Sequence, residues 1–538
     1  TFELPAFNGT ARVMAVGWSR TGVGQAQKDV IIRDPVVISG TLPRFLNMGD
    51  SSRFFIEVNN IEGQAGSYTL DLDVNGPLIV AADALRRTVQ LQPGQKTSLT
   101  IPVKAGGLGA ATLDLRMTGP NLDVSQVFTL TTLPGTPELF HRSVQSLGPG
   151  QSVTLSTEML AEFMPQTGMV SVAVSSFGGI DVPALLAALD RYPYGCTEQT
   201  VSRAMPLLYV NKLARSEALA IDPKIDERIR ESIERVLTRQ DSNGSFGLWG
   251  TGGADDYWLD SFVADFLTRA RERNFAVPQK AFDITLDRLR NFVANVTDVP
   301  QGGEDLAYAI YVLARNGRPV MNDLRYLVDT KLNDFKTGLG RAQLAASLAM
   351  LGDKGRAASV FRSALEVVTR AGMETVSRAD YGSKLRDGAG IMTLAAETGS
   401  DRAIVQQVAA TVSQARGQTR YTSTQENAWM VLAAQALASD TQTMQLTVNG
   451  TAHQGALYRS WLARTLDGRP MTITNTTQAP VQVVVSTSGN PIQPEGALAS
   501  GYEIERTLYT LKGEKVERTD FKQNDRYVVT LKVTEPEA

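Results

Sequence analysis

The apolar positions follow two different periods, which divide the chain into three regions. As far as about residue 180, alternating or compact β-branched segments are separated by clusters of Gly, Pro, Asn and Asp, a pattern that predicts β-sandwiches of short strands. From about 181 to 440 the period becomes helical, as at Ile229, Ile233 and Val236. Beyond 440 the strand pattern returns. The predicted strands are 12–19, 53–58, 67–74, 97–103, 112–117, 126–131, 152–156, 169–175, 444–448, 471–474, 481–486, 503–510 and 526–533.

The middle region predicts helix after helix. Its other amphipathic stripes include Leu306, Ile310 and Leu313, and Leu344, Leu348 and Leu351. Helical hairpins cannot bury their apolar faces alone, so they must stack in an array or close into a ring. The segment 240–249, QDSNGSFGLW, resembles the turns that join outer to inner helices in α/α toroids. Because strands lie on both sides, we expect the helical region to be inserted into a β-sandwich.

Length and composition narrow the class of protein. The 538 residues predict three to four domains. A formal net charge of −3, with 20% charged residues and no run of like charges, argues against nucleic acid as the main partner. No apolar stretch approaches the roughly 20 residues of a membrane helix. The first residues, TFELP, do not resemble a signal peptide, so we expect a mature piece or a fragment of something longer.

Candidate chemistry centres on the single cysteine, Cys196, in the sequence GCTEQT at 195–200. Because residues at i and i+3 are neighbours in a helical turn, the Cys196 thiol and the Gln199 carboxamide can meet. Attack of the sulfur on the amide carbon would expel ammonia and leave an internal thioester. Such a bond is an electrophile held inside the fold until an amine or hydroxyl reaches it.

Two other interpretations of Cys196 remain open on the residues alone. A free cysteine is often a small buried hydrophobe, although a glutamine three residues on and the preceding YPYG turn are not typical of one. A cysteine nucleophile would need a histidine base. The chain has two histidines, His141 and His453, both far away in sequence and in strand-like regions.

Together these features resemble the α2-macroglobulin family, and its bacterial branch in particular. The sequence YPYGCTEQT at 192–200 fits the family's thioester signature, and a helical ring follows it. LPRFL at 42–46 with Gly49 and Asp50 resembles the start of a macroglobulin-like sandwich. The resemblance covers essentially the whole chain, as the C-terminal part of a larger protein. The family's thioester motif includes Gly195 and Glu198 as well as Cys196 and Gln199, the two residues of the cross-link.

The resemblance implies a multidomain fold of macroglobulin-like antiparallel β-sandwiches, with an all-α thioester domain, an α/α toroid, inserted into one of them. The implied domains are the end of a β domain at 1–34, a complete sandwich at 35–135, a sandwich formed by 136–180 with 441–500, the thioester domain at 181–440, and part of a final β domain at 501–538.

The function implied by the resemblance is that of a broad-spectrum endopeptidase inhibitor in bacterial defence. A protease cuts an exposed bait region, the body rearranges, and the thioester captures a lysine amine of the attacker. The bait region should precede Thr1. The resemblance implies a non-enzyme without cofactor or metal, a monomer, and a periplasmic location in a Gram-negative cell, with a lipid anchor at the inner membrane on the missing N-terminal part.

Three finer expectations concern the surroundings of the bond. Water must be excluded in the resting state, and Tyr192 and Tyr194 are the nearest aromatic candidates for this shielding. Glu198 either orients the Gln199 carboxamide or caps the helix start, and capping is the favoured reading. Because 181–440 contains no histidine, which some complement relatives use to favour hydroxyl targets, amines should be the preferred nucleophiles.

Two functions of other classes compete with this one. The aromatic turn at 240–249 also suggests an α/α-toroid enzyme such as a terpene cyclase or a prenyltransferase. The zinc of a prenyltransferase needs residues such as Asp, Cys and His, and a cyclase needs an acidic cluster, for which Asp255, Asp256 and Asp260 are present but are more typical of a solvated helix N-terminus. The third possibility is a non-covalent adhesion or binding module.

Overall fold

In a computed structural model of the chain, two compact units are formed, Thr1–Pro137 with Pro491–Ala538, and Glu138–Asn490. The structure describes residues 7–176, 180–192, 194–217, 224–300, 302–370, 378, 380–400, 402–419, 421–437, 443–466, 469–499, 501–517, 520–522 and 524–535. Pro193 of the predicted thioester motif lies outside these residues, as do the predicted domain limits at 1, 440, 441, 500 and 538.

The first unit contains a β-sandwich and two hairpins. In the sandwich a sheet of order β3-β5-β9-β7 faces one of order β4-β11-β10-β6-β8. In β5, Phe54, Ile56 and Val58 are buried while Phe55 is exposed, as expected for a strand with one face in the core. One hairpin is formed by β1 and β2 and the other by β20 and β21. The strands are β1 Gly9–Trp18, β2 Val23–Ile32, β3 Val36–Thr41, β4 Phe45–Asn47, β5 Ser51–Asn60, β6 Gly66–Asn75, β7 Leu78–Ile79, β8 Arg86–Leu91, β9 Lys96–Ala105, β10 Gly109–Gly119, β11 Leu122–Leu133, β20 Glu503–Thr510 and β21 Tyr527–Thr534.

A second sandwich in the other unit is assembled from both sides of the helical region. Its sheets have the orders β12-β19-β14-β17 and β13-β18-β15-β16, so every sheet combines strands from before and after the helices. The strands are β12 Leu139–Leu147, β13 Ser152–Leu155, β14 Met169–Ser175, β15 Gln445–Val448, β16 Thr451–Gln454, β17 Leu457–Leu462, β18 Met471–Asn475 and β19 Val481–Gly489. The predicted insertion of a helical domain into a β-sandwich is therefore confirmed.

The inserted helices close into a ring. The helices are α1 Val182–Arg191, α2 Thr197–Glu217, α3 Ile225–Leu237, α4 Tyr257–Glu272, α5 Gln279–Asn295, α6 Glu304–Arg315, α7 Met321–Thr330, α8 Gly338–Met350, α9 Lys354–Thr369, α10 Lys384–Glu397, α11 Arg402–Gln418 and α12 Thr424–Ala436, followed after β17 by the short α13 Ala463–Leu466. The even-numbered helices from α2 to α12 pack side by side, each against the next, and α12 packs against α2. An odd-numbered outer helix returns the chain between them, so the inner helices are parallel and their N-termini share one end of the ring.

Burial differs between the two layers of the ring. The outer helix α3 buries only one stripe, which includes Ile229, Ile233 and Val236. The inner helix α6 is buried from Leu306 to Ala314 on all sides, because it touches both neighbours and the outer layer. The predicted one-sided stripe on α6 was therefore too narrow. A closed ring, and not an open array, is what buries these helices.

Candidate functional site

Cys196 and Gln199 meet at the first turn of α2 as a reciprocal cap. Cys196 directly precedes the helix, and its carbonyl accepts the first helical hydrogen bond, from Thr200 N (2.9 Å). The Gln199 side chain turns back, and its Oε1 accepts a hydrogen bond from the Cys196 backbone N–H (3.1 Å). This is the geometry of a capping box, in which the third helical residue reaches back to the N-cap N–H. The box places the carboxamide against the cysteine.

The cysteine sulfur also takes part in this cap, since it faces the backbone N–H groups of Gln199 and Glu198. Cys196 is a free, buried cysteine with only 5% of its surface exposed. Burial raises the pKa of its thiol, and the Glu198 carboxylate raises it further, while the backbone N–H groups of Gln199 and Glu198 and the Arg239 guanidinium act in the opposite direction. The N–H groups at a helix start favour negative charge. The sulfur is thus shielded from water yet faces donors that stabilise a thiolate.

The turn at 240–249 is part of this site. Thr197 donates its backbone N–H to Leu248 O (2.8 Å) and its hydroxyl to Gly247 O (2.6 Å). Gly247 is required here, because a Cβ at this position would overlap the carbonyl oxygens of Gly250 and Gly252. The sequence suggested this segment as a helix connection. The structure shows that it also holds the start of α2.

Arg239 is a residue of the site that the sequence reasoning missed. It follows the C-terminus of α3, and its backbone carbonyl accepts a hydrogen bond from Gly247 N (3.1 Å). Its guanidinium donates to Gly195 O (2.8 Å) and to the Thr197 hydroxyl (3.2 Å), the residues on either side of Cys196. Its position directly before the aromatic turn was the only signal in the sequence.

Glu198 links the start of α2 to the start of α12. Its side chain is 4% exposed and accepts hydrogen bonds from three hydroxyl or amide groups on α2 and α12. The donors are Ser202 Oγ (2.6 Å), Thr424 Oγ1 (3.0 Å) and Gln425 Nε2 (2.8 Å). Glu198 lies in the first turn of α2, where a capping role would place it, and its carboxylate also fixes the first inner helix to the last. The contact between α2 and α12 that closes the ring therefore lies next to the candidate thioester.

The aromatic residues near Cys196 are partly open to solvent. Tyr192 and Tyr194 are 38% and 62% exposed and pack edge to face, with ring centroids 5.8 Å apart. Tyr381, which the sequence did not indicate, lies before α10 with a positive φ of 51° and packs against Trp258, with ring centroids 5.4 Å apart and ring planes tilted by 53°. The Cys196 and Glu198 charges contribute to raising its pKa, after burial and Asp256. Its phenol therefore lies near the cysteine.

The acidic residues expected of a cyclase have structural partners. Asp256 caps α4 by accepting from Leu259 N (2.8 Å). Asp260 is fully buried, accepts from Phe246 N (2.7 Å) and pairs with Arg288 (2.8 Å), so the expectation of a solvated acid was wrong for this residue. Burial raises the pKa of Asp260 to about 6. Asp255 also pairs with Arg288 (2.7 Å).

The two histidines lie in strands of the second β-sandwich and not at the helix start that carries the cysteine. His141 is in β12, where it contacts Glu162 (3.1 Å), and His453 is in β16, beside Ala456 O (3.0 Å). Within the described residues, no cluster of three or more His, Cys, Asp or Glu side chains could hold a metal ion. In the same part of the chain, no helix has both the length and the apolar character needed to cross a membrane.

Comparison with known proteins agrees with this geometry. A family model described as the A-macroglobulin TED domain matches residues 167–290. These include the cysteine turn, residues 195–200, the aromatic turn at 240–249 and α4. The α2-macroglobulin of Escherichia coli K12 is 28% identical over 99% of this chain. The chain is similar to bacterial α2-macroglobulins over nearly its whole length. It spans about a third of the length of this relative, 33%.

Solved structures of the family show the same architecture. The native conformation of E. coli α2-macroglobulin superposes with a TM-score of 0.83 and 27% identity, over 98% of this chain and 34% of that one. The α2-macroglobulin of Salmonella, solved after reaction with methylamine, gives a TM-score of 0.81 and 28% identity, over 98% of this chain and 36% of that one. The macroglobulin-like sandwiches and the helical domain of the predicted fold are thus confirmed, whereas the exact domain limits stay predictions.

Proposed function

We propose that this chain carries the reactive bond of a protease trap, an internal thioester between Cys196 and Gln199. The thiol adds to the Gln199 amide carbon and the amide nitrogen leaves as ammonia, so that a carbon–sulfur bond replaces a carbon–nitrogen bond. The observation that supports this best is the hydrogen bond from Cys196 N–H to Gln199 Oε1 (3.1 Å). That donor would also polarise the acyl carbonyl for nucleophilic attack.

The proposed targets are lysine amines of attacking proteases, engaged after cleavage of a bait region in the longer protein. The Salmonella relative reacts with methylamine, as its structure records. The rival toroid enzymes lose support because their acidic cluster is tied up in ion pairs and a helix cap. By family likeness we propose a non-enzymatic, monomeric inhibitor in the periplasm, anchored by a lipid on the N-terminal side. Cell fractionation of the full-length protein tests its location, and sedimentation its oligomeric state.

Intact mass and amine labelling test the thioester directly. Freshly purified protein should weigh one ammonia less than the sequence predicts. Methylamine should label Gln199 and release one free thiol, while glycerol should label it poorly, because 181–440 contains no histidine that would favour hydroxyl acceptors. Equal labelling by methylamine and glycerol would contradict the amine preference. A full mass with a titratable thiol in protein never exposed to amines would contradict the thioester.

We also propose that Tyr192, Tyr194 and Tyr381 exclude water from the bond. Replacing each with alanine should accelerate spontaneous hydrolysis several-fold, measured as the appearance of the Cys196 thiol at neutral pH without amine. Tyr326→Ala is the matched control, because Tyr326 is 58% exposed on the outer helix α7. Wild-type hydrolysis rates in all three variants would show that these rings have no shielding role.

A further inference from the structure

The guanidinium of Arg239 holds the backbone on both sides of the cysteine. One nitrogen donates to Gly195 O (2.8 Å) and another to Thr197 Oγ1 (3.2 Å). The planar fork of an arginine suits two such acceptors at once, which a lysine cannot match. Arg239 is itself fixed through its carbonyl, which accepts from Gly247 N (3.1 Å). The cysteine turn, the end of α3 and the aromatic turn are therefore joined at this side chain.

Three other side chains near the cysteine turn differ from Arg239 in their charge or in their contacts. Glu198, on α2, carries a negative charge that disfavours a thiolate. Tyr381, from the loop before α10, is a neutral phenol at neutral pH. Arg235, on α3, lies close to Gly195, since a Cβ there would be 3.4 Å from its Nη1. Of the described side chains, Arg239 is the cation that both hydrogen-bonds to this turn and favours the charged sulfur.

We propose that Arg239 is a positioning residue for thioester opening, which fixes the cysteine turn and places a permanent positive charge beside the sulfur that leaves. This inference rests on the proposed thioester. The neutral amine adds to the acyl carbon, the carbon–sulfur bond breaks, and its electron pair goes to Cys196 as a thiolate. The extra proton of the amine passes to solvent. A cation beside the sulfur stabilises the charge that develops in this step.

The first test measures the thiol pKa in a background that cannot form the bond. In Gln199→Ala there is no carboxamide to condense, so Cys196 is a free thiol whatever happens in the wild-type chain. Because it is the only cysteine, its ultraviolet thiolate absorbance can be followed against pH. Arg239→Gln in this background should titrate at higher pH than the parent, and Arg239→Lys should lie between them.

Arg362→Gln is the matched control, since Arg362 is an exposed residue of α9 and should leave the titration unchanged. An unchanged thiol titration in folded Arg239→Gln would overturn the proposal. Should that variant fail to fold, Arg239→Lys in the same background keeps the test decisive. Its thiol should titrate at higher pH than that of the parent, because lysine cannot make both hydrogen bonds of the fork, and a titration equal to that of the parent would count against the positioning role.

The second test measures opening in the otherwise wild-type chain. Arg239→Gln should react with methylamine on the order of fivefold more slowly, since the charge is partly screened by solvent. A purely structural role would alter stability but leave the thiol titration of the first test unchanged. If the wild-type chain shows no methylamine labelling while Arg239→Gln still shifts the titration, the thioester proposal fails and the electrostatic role of Arg239 stands.

Discussion

Replacing Cys196 with alanine is expected to abolish covalent amine incorporation completely. No other residue of the chain carries a thiol, so no other side chain can form the thioester. The intact mass should equal the value predicted from the sequence, with or without methylamine. Because Cys196 is a small buried side chain, the free energy of unfolding should fall by only about 1 kcal/mol. Mass spectrometry and urea unfolding measure the two quantities on one preparation.

A matched control for this variant is Met350→Ala. Met350 is also a sulfur-containing residue of the ring, but it lies at the C-terminal end of an inner helix, α8, and is 39% exposed. Its replacement should leave both the ammonia deficit and the methylamine labelling intact. Methylamine labelling at Gln199 that persists in Cys196→Ala would refute the proposed chemistry, because it would mean that the carboxamide is activated without sulfur.

The largest loss of stability is expected from Arg269→Met, inside the ring. Arg269 is fully buried and pairs with Asp265 (2.9 Å) and Glu397 (2.7 Å). It also donates to the hydroxyls of Tyr209 (2.8 Å) and Tyr311 (3.1 Å). Removing the cation leaves the Asp265 charge buried without compensation. Such a change costs roughly 3–5 kcal/mol of unfolding free energy, measured by urea denaturation followed by circular dichroism.

Arg318→Met serves as the comparison for a pair at the surface. Arg318 contacts Asp283 (2.5 Å) and Asp287 (2.7 Å), but its side chain is 31% exposed and both acids are more so. Exposed pairs contribute about 0–1 kcal/mol. The double variant Arg269→Met with Asp265→Leu should recover part of the loss, since it removes both charges. Equal losses in Arg269→Met and Arg318→Met would show that the buried network does not stabilise the ring.

Local patterns were sufficient to predict most strands and the existence of the helical domain. Strand β5 and the stripe on α3 each have one buried face, so their apolar period is visible in the sequence. The limits of strand β12, around His141, were not predicted because most of its residues are exposed, so its burial alternates little. It exists as a strand because it pairs with β19, on the other side of the whole helical insertion.

The candidate site was only partly visible in the sequence. The spacing of Cys196 and Gln199 was enough to predict that they meet, and the capping box gives the reason, since a cysteine stands where serine or threonine usually does. The partners of Glu198 on α12, Thr424 and Gln425, could not be foreseen because they come from the last helix of the ring. Arg239 and Tyr381 carry no motif that links them to the cysteine.

By itself, the sequence determined the two periods of apolar residues, the single thiol and a glutamine three positions away. These features are local, because helical spacing and capping depend only on neighbouring residues. The tertiary structure decided which charges face the sulfur and which rings lie near it. Ring closure brings α2 against α12 and the aromatic turn against Thr197. No sequence period encodes such contacts, because they depend on how distant helices pack around a common axis.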